Sequence, residues 1–99
     1  MTEQYTEPEP TDVYTIYTKS GCPNCTKAKK LLDSEKNNIL IVDCDEYIIE
    51  DKPTFLQFIK DRAGKEWKTF PIIFHKGEFI GGYEETKAYK ERINAFDDI

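Results

Sequence analysis

The chain has 99 residues, 38% hydrophobic and 33% charged, with a net charge of −5 at neutral pH. That is enough sequence for one domain with its own core, and too little for a cofactor domain beside a substrate domain. The acidic balance argues against a nucleic-acid surface, and no apolar run nears the roughly 18 residues that span a bilayer.

Glu3, Glu7, Glu9 and Asp12, with no Lys or Arg among them, place most of the net charge in the first 12 residues. Residues 1–11 are therefore expected to be a flexible acidic arm, and 12–99 the folded domain. The start has neither the basic nor the apolar stretch of a signal peptide, so a reducing, cytoplasmic compartment is expected.

Residues 12–19 read as a strand, because Val13 to Thr18 are all β-branched or aromatic. Ser20-Gly21 breaks it. Residues 23–35 read as a helix with Ala28, Leu31 and Leu32 on one face, ended by Asn37-Asn38. Residues 39–42 form a short apolar strand. Asp51-Lys52-Pro53 opens a second helix, with Phe55, Phe58 and Ile59 at helical spacing and Gly64 as its stop. Residues 71–74 and 78–80 flank Lys76-Gly77, a hairpin signal. Gly81-Gly82 precedes a last helix over 84–96. The order β-α-β-α-β-β-α predicts an α/β fold. Its first two strands are parallel, the hairpin adds antiparallel strands, and helices cover both faces of a mixed four-stranded sheet.

Cys22-Pro23-Asn24-Cys25 lies where the first strand turns into the first helix. Proline is favoured at the first helical position, where its missing N–H costs nothing. Cys22 then becomes the N-cap and Cys25 falls in the first turn. Free backbone N–H groups, the positive helix end and Lys19 all favour a Cys22 thiolate. Such settings lower a cysteine from about 8.5 into a range of roughly 3.5–7.5. The spacing also brings Cys25 within disulfide reach. A C-x-x-C beside a βαβ pattern reads as a redox motif. The competing reading is a zinc site completed by Cys44 and His75, although a second paired knuckle is missing.

Three separated segments resemble the dithiol glutaredoxins of the thioredoxin-fold superfamily. They are Tyr17-Thr18-Lys19-Ser20-Gly21-Cys22-Pro23-Asn24-Cys25, Thr69-Phe70-Pro71 and Gly81-Gly82-Tyr83-Glu84-Glu85. The resemblance covers roughly residues 12–96. It implies a thioredoxin-like fold and a glutathione-dependent thiol-disulfide oxidoreductase, with Cys22 and Cys25 catalytic. It implies a cis Phe70-Pro71 bond. It also implies a glutathione groove in which Lys19 meets the glycine carboxylate and Thr69, Phe70 and Pro71 pair with the cysteinyl backbone. Gly82, Tyr83, Glu84 and Glu85 then cradle the γ-glutamyl end. Glutathione is implied as reducing co-substrate, with no tightly bound cofactor and no metal. Partners are disulfide-bearing or glutathionylated proteins, with neither nucleic acid nor membrane, and the chain is expected to be a monomer. Against the family pattern, Asn24 replaces a tyrosine, Phe70 a valine and Glu84 a threonine. An alternative within the same motif is a metal carrier, holding an iron–sulfur cluster or zinc; Pro23 argues against the cluster. Cys44 is expected to be structural, His75 packed or at the surface, and Phe55, Phe58 and Ile59 core.

Overall fold

The computed structural model describes residues 5–97, and within them all side chains except those of residues 36–37 and 94–97. Strand β1 (Tyr14–Thr18) leads to helix α1 (Pro23–Leu31), then through a 3-10 segment (Asp33–Asn38) to β2 (Ile39–Asp43). Helix α2 (Asp45–Ala63), the hairpin β3 (Ile72–His75) and β4 (Glu78–Gly81), and α3 (Tyr83–Asp97) complete the chain. The sheet order is β2-β1-β3-β4. Strand β1 pairs parallel to β2 and antiparallel to β3, and the hairpin is antiparallel, as the element order predicts. Among the described residues, no helix is long and apolar enough to cross a membrane.

The central position of β1 explains its composition: all five of its residues are buried. Alternation along β1 and β3 splits the core into two clusters. Tyr17, Ile72 and Phe74 point to one face, where they meet Phe55, Phe58 and Ile59 of α2. Tyr14, Ile16 and Ile73 point to the other, with Ala28 and Leu32 below them. Each fully buried side chain of this size contributes about 1.5–3 kcal/mol. Lys76 and Gly77 both have positive φ (59° and 78°), the turn that matches strand twist in a two-residue hairpin.

Three boundaries differ from the sequence reading. Helix α1 stops at Leu31 rather than residue 35, because Leu32 leaves helical geometry (φ −97°, ψ 12°) and Asp33-Ser34 favour turns. Helix α2 begins at Asp45, but Asp51 is extended (φ −163°, ψ 80°) and divides it into two segments. The Asp51 carboxylate accepts the Thr54 N–H (3.2 Å) and hydroxyl (2.7 Å), so it caps the second segment at the Asp51-Lys52-Pro53 start that the sequence predicts. The segment before it, Asp45–Glu50, was missed.

The third difference is the arm. Residues 1–4 lie outside the described residues, but residues 5–11 pack on the domain rather than standing free. The Tyr5 ring lies 4.8–5.3 Å from those of Tyr47, Phe55 and Phe58. Tyr17 donates its hydroxyl hydrogen to the Thr6 carbonyl (2.5 Å). Glu7 receives a two-pronged Arg62 guanidinium at 2.5 and 2.6 Å. An aromatic anchor outweighs the polar composition that suggested a solvated tail.

Candidate active site

The end of β1 delivers the chain to Ser20, and Gly21 (φ 66°) turns it into α1. Cys22 is the N-cap of α1, with Pro23 in the first turn, as the motif predicts. The Cys25 N–H points at Cys22 Sγ across 3.1 Å. That contact is a charge-assisted donor for a thiolate once the pair is reduced. Cys22 and Cys25 are joined as a disulfide, with Cα atoms 5.2 Å apart. Cys22 is partly exposed, whereas Cys25 is only 2% exposed. Of the two sulfurs, that of Cys22 is therefore the accessible one.

The Phe70-Pro71 bond is cis, as the resemblance implies. The Phe70 carbonyl oxygen lies 3.6 Å from Cys22 Sγ. Phe70 stacks on Phe55 of the core (6.3 Å, 8°), which seats this larger residue. Cys22 opens into a cleft of about 410 Å³ bounded by Lys19, Asn24, Ile48, Thr69 and Phe70. Lys19 is exposed, with Nζ 5.8 Å from the centre of the Phe70 ring.

The segment after β4 lies against Pro71: a Cβ built on Gly82 would stand 3.4 Å from the Pro71 carbonyl oxygen. The Gly82 N–H donates to Glu85 Oε1 at 3.0 Å. This is half of a capping box, with the acid at N3 reaching back to the N-cap amide. Gly82 has no side chain to complete it, so the next N–H groups of α3 receive no cap from it. Gly81 (φ 140°) makes the fold-back possible, since a Cβ there would meet the Glu85 Cβ at 2.7 Å. Tyr83 is half-buried beside the second core cluster, and Lys27 Nζ lies 5.9 Å from its ring centre. Glu84 is exposed.

Cys44 and His75 do not join the dithiol. Cys44 is fully buried in the core on the α2 side, its thiol donating to the Val42 carbonyl at 3.6 Å. Burial, reinforced by Asp43, pushes this thiol up to about 12. His75 stacks on Tyr14 at 4.0 Å. Its ring nitrogens reach the Tyr89 hydroxyl (2.6 Å) and Asp12 (2.8 Å). Among the described residues, no three or more of His, Cys, Asp and Glu gather as a metal would require.

Sequence reasoning missed Asp45. It accepts the Ser20 N–H at 2.9 Å and the Ser20 hydroxyl hydrogen. It also missed Ile48, Lys52 and Lys68 on the cleft wall. These come from parts of the chain whose proximity to Cys22 only the fold creates. The adjacency of Lys68 to Thr69 was the one available signal.

Known proteins agree with this geometry. The glutaredoxin family model matches residues 14–80. The chain is 32% identical over 81 residues to glutaredoxin 1 of Escherichia coli, covering 81% of this chain and 95% of that one. It is 35% identical over 77 residues to human mitochondrial glutaredoxin-2, covering 77% of this chain and 44% of that one. Among solved structures, glutaredoxin 1 of Francisella tularensis, crystallised with cacodylate, superposes with a TM-score of 0.70 at 28% identity. That match covers 83% of this chain and 95% of the other. The two thiols at a helix start, the cis proline beside them and these matches agree. The chain belongs to the glutaredoxin family, the glutathione-dependent thiol-disulfide oxidoreductases.

Proposed function

We propose that Cys22 is the attacking thiol and Cys25 the resolving thiol of a two-thiol cycle acting on protein disulfides and glutathione mixed disulfides. The observation that carries this reading is the asymmetry of the pair: an accessible N-cap sulfur facing an N–H donor, and a buried partner. The Cys22 thiolate attacks one sulfur of the substrate disulfide. One mixed disulfide forms, and the other substrate sulfur leaves as thiolate. Cys25 then attacks Cys22 Sγ, closing the Cys22–Cys25 disulfide and releasing the second substrate thiol. One glutathione thiolate reopens it as a Cys22–glutathione mixed disulfide. A second displaces Cys22 and leaves as glutathione disulfide, carrying away the two electrons' worth of oxidation.

Glutathione, in this reading, lies across the cleft. Its glycine carboxylate meets Lys19, and its cysteinyl backbone pairs with Phe70 between Thr69 and Pro71. Its γ-glutamyl carboxylate meets the uncapped N–H groups after Gly82, beside Tyr83 and Glu84, while Glu85 takes the ammonium. One chain contains every group in this scheme, which suits a monomer. A reducing, cytoplasmic compartment would supply the glutathione. Turnover of a glutathione mixed disulfide, coupled to glutathione and its reductase, tests the function. Turnover without glutathione dependence, or none at all, would overturn it.

A further inference from the structure

The cleft at Cys22 does not end at Phe70. A second cavity of about 340 Å³ adjoins it, bounded by Pro53, Leu56, Lys60 and Trp67. Lys52 and Lys68 line both. The two form one trough between the second segment of α2 and the loop leading to β3. Lys52, Leu56 and Lys60 recur every four residues, so one face of that helix forms its wall. The trough's cations are Lys19, Lys52, Lys60 and Lys68, and none is ion-paired among the described residues. Glu66 is the one carboxylate on its lining. Between the lysines lie the apolar surfaces of Ile48, Pro53, Leu56 and Trp67. A chain of net charge −5 thus concentrates free positive charge beside its reactive sulfur. Neither cavity is lined by residues 82–85, which hold the γ-glutamyl end in the proposed binding mode.

We propose that this trough seats an extended acidic segment of the disulfide-bearing protein substrate, its carboxylates meeting Lys52, Lys60 and Lys68 as Cys22 attacks. The proposal rests on the thiol-exchange reading and names the substrate class of that site. Charge complementarity selects the occupant. Four lysines without an ion-pair partner among the described residues attract an acidic segment to the side of Cys22, which favours encounters there. Spaced ammonium groups over apolar patches suit an extended peptide with alternating carboxylates and aliphatic side chains, the lysine stems covering the apolar part.

The test compares three disulfide peptides of equal length, whose cysteines are flanked by Glu, by Gln or by Lys. At low ionic strength the wild-type protein should reduce the Glu peptide with a kcat/KM roughly tenfold above the Gln peptide and further above the Lys peptide. The preference should shrink as salt screens it. The double variant Lys60→Glu/Lys68→Glu should abolish or invert it, and Lys60→Gln/Lys68→Gln should remove most of it. Equal rates on the three peptides, or a preference that survives both double variants, would overturn the proposal. Trp67 is the only tryptophan, so its emission gives a readout independent of turnover. A cysteine-free Glu-rich peptide should shift it in the wild type and not in the Lys60→Glu/Lys68→Glu variant. No shift in the wild type counts against the trough. A shift in a protein that fails to turn over a glutathione mixed disulfide instead sinks the thiol-exchange reading and leaves the trough standing.

Discussion

Asp45 accepts both the backbone N–H and the hydroxyl hydrogen of Ser20, so the first turn of α2 holds the loop that carries Cys22. The Ser20 hydroxyl, then its N–H, holds the Asp45 carboxyl below the usual carboxylate range, with Lys19 adding a smaller pull. A depressed carboxyl contributes stability above its unfolded value of about 3.9 and loses it as pH falls through the lowered folded value. Asp45→Asn imitates the protonated form. Its melting temperature should lie below wild type at pH 6, and the gap should close in strong acid. A gap unchanged at pH 2 would refute the ionised clamp.

The two thiols should separate by mutation. Cys22→Ser should reduce turnover to background on every disulfide substrate, since Cys25 is buried. Cys25→Ser should lose the two-thiol route yet still remove glutathione from a glutathionylated peptide, which needs only Cys22. Steady-state rates on both substrate types check this, and equal loss in the two variants would refute the asymmetry.

Cys44 should behave as a core residue. With its thiol pushed up to about 12, iodoacetamide at pH 8 should label Cys22 of the reduced native protein and spare Cys44 until unfolding. The linked stability is fully present below the unfolded thiol value of about 8.5 and is lost as pH rises toward 12. Mass spectrometry of the labelled protein decides it; equal labelling rates at the two cysteines would refute burial as the control.

The dithiol, its helix start and the sheet order were legible because each rests on local signals: β-branched runs, Pro after Cys, and Lys-Gly between strands. Asp51 shows how a correct local signal hides a larger element. Its capping of Thr54 marks a true helix start, yet a preceding segment abuts it and carries Asp45 and Ile48 to the active site. That segment has a weak apolar pattern of its own, and its place is set by Tyr47 packing on Tyr5 and Phe55. Tertiary contacts of this kind leave little trace in periodicity.

Tyr5 should matter more than Glu7. Removing a half-buried aromatic ring set among three others should cost about 1–3 kcal/mol. The exposed Glu7–Arg62 pair is worth about 0–1 kcal/mol, its side chains being 58% and 40% exposed. Tyr5→Ala should therefore lower the melting temperature clearly and Glu7→Gln barely. The reverse order in thermal unfolding would mean that the ion pair, not the ring, holds the arm.

Glu85 bears the sharpest consequence for ligand recognition. One of its oxygens is committed to the Gly82 N–H, so in the proposed binding mode its other oxygen takes the ammonium of glutathione. Glu85→Gln keeps an oxygen that can accept from Gly82 and removes the charge. Its stability should change by no more than about 1 kcal/mol, while KM for a glutathione mixed disulfide rises several-fold at constant kcat. Glu84 is exposed and holds nothing among the described residues, so Glu84→Thr should alter KM less than twofold. An analogue of glutathione lacking the α-amino group isolates the pairing. On wild type it should lose about the factor that Glu85→Gln loses, and on Glu85→Gln it should lose nothing further, because the two changes delete one interaction. Independent, multiplying losses would remove Glu85 from the amine. A larger effect from Glu84→Thr would move the γ-glutamyl contact to its neighbour, leaving the thiol chemistry at Cys22 untouched.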